Sequence, residues 1–168
     1  MSLPRKLPPS NRRRPSDAWR LRNAGRILSN AVTRFESRVL ELMAQAGHAT
    51  TRLPHVNLTR HLDLSGTRIT ELARRAHMTN AAMTELIDQC ESLGLVIRCP
   101  DPTDRRARIV HFTDEGRLWL SAFAKAVKRA EKEMFQVIGD EAAAVVLNEL
   151  AHYAGGVDSI RAADDAPA

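Results

Sequence analysis

Apolar side chains recur at Ala24, Ile27, Leu28, Ala31, Val32, Phe35, Val39, Leu42 and Met43, at intervals of three and four. That period puts them on one face of a helix, running from Asp17 to Ala46, with Ser16 as its N-cap and Gly47 as its stop. At 1.5 Å per residue this helix is roughly 45 Å long. A chain of 168 residues does not need such a helix for its own core. The pattern therefore predicts that part of the apolar face meets a second chain.

The period then breaks into shorter pieces. Pro54 opens a helix to about Leu62. Leu64-Ser-Gly-Thr reads as a turn, and Arg68-Ile69 as a very short strand. Thr70 caps a short helix with Leu72, Ala73 and Ala76 inward, and His77-Met78 forms a tight connection. Thr79 caps a second helix with Met83, Leu86, Ile87 and Cys90 inward, closed by Gly94. Two short helices joined this way match a helix-turn-helix. Val96 to Pro100 and Ala107 to Phe112 are rich in strand formers and flank the turn Asp101-Pro-Thr-Asp-Arg-Arg, which predicts a β-hairpin. Thr113 caps the next helix, with Asp114 and Glu115 suited to its N-terminal dipole. Leu118, Trp119, Ala122, Phe123, Ala126, Val127, Ala130, Met134 and Ile138 form its apolar face. Gly139 interrupts, and Asp140 restarts a helix through Val146, Leu147, Leu150 and Tyr153 to Gly155-Gly156. The predicted fold is mainly α with a small β-hairpin wing: a winged helix-turn-helix over 54–113 between helical segments 17–47 and 114–156, all in one domain.

Composition adds the ends and the charge. Residues 1–16 hold four prolines and five basic residues, and predict a disordered basic arm. Residues 157–168 read as a mobile tail. Residues 1–47 carry ten Lys/Arg against three Asp/Glu, residues 48–113 nine against seven, and residues 114–168 six against ten. A basic front half suits a polyanionic partner, although Arg5, Lys6 and Arg12 to Arg14 serve equally well as a solubilising tail. No run of about 18 apolar residues exists, which argues against a membrane partner, and no apolar N-terminal stretch suits a signal peptide. Cys90 and Cys99 give no disulfide framework, so the expectation is a cytoplasmic chain with reduced thiols. The six histidines lack short ligand spacing. No Ser/His/Asp order or phosphate-binding loop stands out. Neither an enzyme nor a metal or other cofactor is expected.

Four segments carry a likeness. Ile69-Thr-Glu-Leu-Ala-Arg-Arg, Cys90-Glu-Ser-Leu-Gly-Leu-Val, Asp101-Pro-Thr-Asp-Arg-Arg-Ala and Phe112-Thr-Asp-Glu-Gly-Arg occur in this order. Together they resemble the MarR (multiple antibiotic resistance regulator) family from about residue 62 to 118. The resemblance implies a transcription regulator that binds double-stranded DNA as a homodimer, with the terminal helices of both subunits interlocked. It is expected to be a repressor relieved by a small aromatic or phenolic effector.

It also implies site residues. The second helix of the motif would enter the major groove, presenting Thr79, Asn80, Ala81, Thr84 and Glu85. Thr and Asn hydrogen-bond bases or phosphates, Ala81 packs on a thymine methyl, and Glu85, where the family tends toward a basic residue, accepts from a cytosine amine. Arg106 would reach the minor groove, oriented by Asp104, with Arg105 beside it. Arg68, Arg74 and Arg75 are candidates for phosphate contacts. Trp19, Arg20, His55 and His61 are candidates for lining an effector pocket. Cys90 stands where the family has a core leucine and reads as a small buried hydrophobe; Cys99, beside Arg98, is the likelier of the two to be redox-active. Two other readings stay open: a winged helix used for protein contact without an operator, and a cysteine-oxidation sensor of the same fold.

Overall fold

A computed structural model describes residues 18–155. The basic arm, Ser16, Asp17, Gly156 and the tail lie outside the described residues. The chain falls into two units, residues 1–34 and 35–168.

In the first unit, α1 (Ala18–Arg22) and the opening of α2 (Ala24–Gln45) are separate, where periodicity predicts one unbroken helix. Asn23 is the reason. Its side-chain amide donates to the Trp19 carbonyl at 2.9 Å and the Arg20 carbonyl at 3.3 Å, and its side-chain oxygen accepts from the Arg26 N–H at 3.0 Å. Side-chain bonds thus compete with the helical ladder and start a new helix in place of continuing the old one. Every described residue from 18 to 34 is exposed, including Ile27, Leu28 and Val32 of the apolar stripe.

In the second unit, α2 ends with Val39, Leu42 and Met43 buried. After it come α3 (Leu53–His61), β1 (Thr67–Arg68), α4 (Ile69–Arg75), α5 (Asn80–Ser92), β2 (Val96–Pro100), β3 (Arg108–Phe112), α6 (Asp114–Ile138) and α7 (Asp140–Tyr153). The sheet is antiparallel in the order β1-β3-β2, so the hairpin gains a third strand. One aliphatic core joins Met43, Leu58, Leu72, Met83, Ile87, Cys90 and Val110, and Trp119 of α6 closes it. The Trp119 ring stacks on Phe123 at 5.2 Å, and its indole N–H donates to the Thr51 hydroxyl at 3.0 Å, so its own buried donor is paired. Arg38 forks onto the Glu133 carboxylate at 2.6 and 2.9 Å and ties α2 to α6.

The helix ends show how the sequence builds the helix-turn-helix. Thr79 and Thr113 are the expected N-caps: their hydroxyls accept from the N–H groups of Ala82 and Gly116. The helix before them does not start at Thr70. β1 runs straight into it, so Arg68 holds the N-cap position in extended backbone and Thr70 falls in the first turn. At the other end of α4 the Met78 N–H donates to the Ala73 carbonyl at 2.9 Å and His77 to Arg74 at 3.2 Å. This is a Schellman closure, as at Gly94, and it demands a left-handed residue. His77 takes that role with φ 52°, where glycine would be free of strain.

Candidate nucleic-acid interface

The helix α5 presents a face to solvent along its first two turns. Thr79, Asn80, Ala81, Thr84 and Glu85 are all exposed, while Met83, Leu86, Ile87 and Cys90 are buried on the opposite side. The inward side docks on α3 and α4, and fixes which side chains point out. All five residues predicted to read bases therefore share one accessible surface.

The wing is a five-pair ladder from Val96↔Phe112 to Pro100↔Arg108. Its turn is held by two aspartates. The Asp101 carboxylate, buried to 2% side-chain exposure, accepts from the Thr103 N–H and hydroxyl, each at 2.7 Å, and from Arg68 Nε at 2.6 Å. These bonds, the Thr103 pair first and Arg68 after, hold its carboxyl at about 2. Asp104 acts one step further on: its carboxylate accepts from the Arg106 backbone N–H at 2.9 Å, and its carbonyl from the Ala107 N–H at 2.9 Å. Asp104 thus orients the Arg106 main chain and makes no bond to the guanidinium. Arg105 and Arg106 are exposed, and neither side chain has a hydrogen bond or ion pair among the described residues.

The other arginines divide by partner. Arg68 is committed to Asp101 and Thr103, and braces the wing against β1. Arg74 forks onto Glu71 at 2.8 and 2.6 Å while its side chain stays 72% exposed. Arg75 bonds Glu71, Asp63 and the His61 carbonyl, so it fastens the loop before β1 to α4. Between them Arg74 and then Arg75 hold the Glu71 carboxyl at about 2.

The predicted pocket residues are divided between the two units. Trp19 and Arg20 lie on the exposed α1. His55 is buried at the start of α3, where Nδ1 accepts from the Arg52 N–H at 3.2 Å, and burial first, then the Arg52 charge, lowers its pKa. His61 ends α3, half-buried, and its pKa is lowered by burial and the nearby cations. A cleft of about 390 Å³ lies elsewhere, lined by Leu53, Pro54, Met78 and Leu86 with Asn57 and the Glu36–Arg60 pair. It touches both the turn of the motif and the inner side of α5. Cys90 is fully buried, and burial pushes its thiol up to about 11; Cys99 is half-buried in β2. Among the described residues no cluster of three or more His, Cys, Asp or Glu could hold a metal ion, and no helix is long and apolar enough to cross a membrane.

Residues 58–107, from α3 to the far side of the wing turn, match the MarR family model. This stretch is similar to the MarR family of transcriptional regulators. The chain is 29% identical over 119 residues to the HTH-type transcriptional regulator YdgJ of Bacillus subtilis, spanning 71% of each chain. Among solved structures, the repressor CouR bound to a 23-mer DNA duplex aligns with a TM-score of 0.64 at 25% identity, over 83% of this chain and 96% of CouR. CouR from Rhodococcus jostii RHA1 bound to p-coumaroyl-CoA aligns at 0.62 and 23%, over 79% and 92%. In this chain the parts that sequence alone did not single out are Arg98, Asp101 and Glu71. The signal available for Asp101 was its place as the first residue of the wing turn, between Pro100 and Pro102.

Proposed function

We propose that this chain is a MarR-family regulator, a cytoplasmic homodimeric repressor. In this reading α5 enters the major groove of double-stranded DNA, and Arg106 of the wing enters the adjacent minor groove with Arg105 at its edge. The observation that carries the reading is the pair of exposed arginines without a partner, on a tip whose backbone is pinned by two aspartates. An arginine with no internal bond to break is ready for an external anion, and the negative potential of a narrow minor groove is a fitting one. Thr79, Asn80 and Thr84 supply donors and acceptors for base edges or phosphates, and Glu85 an acceptor for a cytosine amine. CouR, a repressor seen both with DNA and with p-coumaroyl-CoA, supports the reading that this chain also binds a small organic effector, which would relieve repression. The cleft between α3, Met78 and Leu86 suits such a molecule, since an occupant would press on the inner side of the reading helix. The exposed apolar residues Ile27 and Val32 on α2, and Val145 and Val146 on α7, suit a second copy of the chain.

Arg106→Ala tests the wing. It is expected to weaken operator binding by about 1–3 kcal/mol with no change in unfolding midpoint, because the side chain has no internal partner. Equal affinity of the variant and the parent at one salt concentration would remove the minor-groove role.

A further inference from the structure

The reading helix has an unusual charge for its task. From Asn80 to Ser92 it contains Glu85, Asp88 and Glu91 and no lysine or arginine. A helix entering the major groove brings these carboxylates toward two phosphate strands, where each is repelled. One side chain answers two of them. Arg98 of β2 reaches across to α5: its guanidinium meets the Asp88 carboxylate, approaches Glu91 Oε2 at 3.5 Å and donates to the Thr84 carbonyl at 3.0 Å. Its backbone N–H also donates to Glu91 Oε1 at 2.7 Å. Thr84, Asp88 and Glu91 are spaced by four and three, so they form one ridge of the helix, and Arg98 lies along it. The Arg98 side chain is 23% exposed, and its Nε is buried with no hydrogen-bond partner. A buried donor left unpaired is unfavourable, so the pairing with Asp88 and Glu91 and the bond to the Thr84 carbonyl must offset that cost.

We propose that Arg98 is a positioning residue for DNA binding, which masks Asp88 and Glu91 so that the reading helix approaches DNA with Glu85 as its only unmasked carboxylate. The inference rests on the DNA-binding reading above. It also divides the roles of the carboxylates: Glu85 reads, and Asp88 and Glu91 tie the helix to the strand that carries the wing. Groove helix and wing then share one anchor.

The test uses a duplex that the parent protein selects from a randomised pool. Arg98→Ala is expected to bind it on the order of tenfold more weakly at low salt, with a deficit that shrinks as added salt screens the freed carboxylates. Lys125→Ala makes the same change in net charge at an exposed site on α6, and is expected to bind within about twofold of the parent. Arg98→Ala/Asp88→Asn/Glu91→Gln is expected to regain most of the lost affinity. Asp88→Asn/Glu91→Gln in the parent, which retains Arg98, is expected to bind more tightly at low salt, and keeps the test valid if Arg98→Ala folds poorly. Three results would overturn the inference: a Lys125→Ala loss as large as that of Arg98→Ala, a deficit independent of salt, or no recovery on neutralising Asp88 and Glu91, which would assign Arg98 to a phosphate. A parent that selects no duplex would instead remove the DNA-binding reading, and this inference with it.

Discussion

Gly116→Ala is the substitution whose sign separates local propensity from tertiary structure in this fold. Gly116 lies in the first turn of α6 and is buried. By helix propensity alone, alanine in place of glycine stabilises by about 1 kcal/mol. The structure predicts the opposite. A Cβ at position 116 would stand 1.9 Å from the Leu95 carbonyl oxygen and 2.9 Å from its carbon. The obstacle is backbone, and it is fixed by the joint it belongs to. Thr113 N–H donates to that same Leu95 oxygen at 3.1 Å, and the Thr113 hydroxyl bonds the Gly94 carbonyl. Relief requires α6 to lift from the end of α5. Overpacking of this kind costs about 1–3 kcal/mol, and loosening the Thr113 bonds adds about 1 kcal/mol each. Set against the propensity gain, the net expectation is a loss of about 2–4 kcal/mol. The assay is urea unfolding at fixed protein concentration, since a dimer's midpoint depends on concentration, with the slope checked for constancy. A variant about 1 kcal/mol more stable than the parent would refute the close approach of α6 to Leu95, and with it the rigid joint between the reading module and α6.

Three further outcomes are expected. His77→Gly should raise stability by about 1 kcal/mol by removing left-handed strain at the α4 end, and an unchanged or lower unfolding midpoint would contradict that closure. Asp101 and Glu71 both have carboxyls held at about 2 in the folded state, below their ordinary values of 3.8 and 4.5. Folded pKa values below the unfolded ones mean that the stabilisation is complete above about pH 4.5 and is lost as pH falls toward 2; Asp101→Asn should flatten this acid limb, and an identical pH profile would count against the wing-root network. Ile27→Asp places a charge on the exposed stripe of α2 and should shift sedimentation toward the monomer without lowering helix content; a species unchanged at micromolar concentration would contradict the proposed dimer contact on this stripe.

The order of elements was readable because each boundary has a local chemical cause. Thr79 and Thr113 cap by their own hydroxyls, Gly94 supplies a left-handed turn, and the Asp-Pro-Thr-Asp run closes a hairpin. The exposed face of α5 followed from the same spacing, since the inward set Met83, Leu86, Ile87 and Cys90 leaves Thr79, Asn80, Ala81, Thr84 and Glu85 outside. What stayed hidden depends on partners distant in sequence. Arg68 reads as a free cation until Asp101, 33 residues away, folds beside it. Arg98 reads as a neighbour of Cys99 until α5 packs against β2. Asn23 breaks the first helix by bonding its own turn, which apolar periodicity does not register. The cleft gathers residues from α2, α3, the turn after α4 and α5, and no spacing rule joins those segments.

The central claim is that two copies of this module read one duplex through α5 and the wing. Hydroxyl-radical footprinting of the parent protein on DNA upstream of its own gene tests it most directly. The predicted result is a two-fold symmetric footprint with half-sites about 10 base pairs apart, cut back at the minor-groove positions by Arg106→Ala. A footprint without symmetry, or one that Arg106→Ala leaves intact, would contradict it.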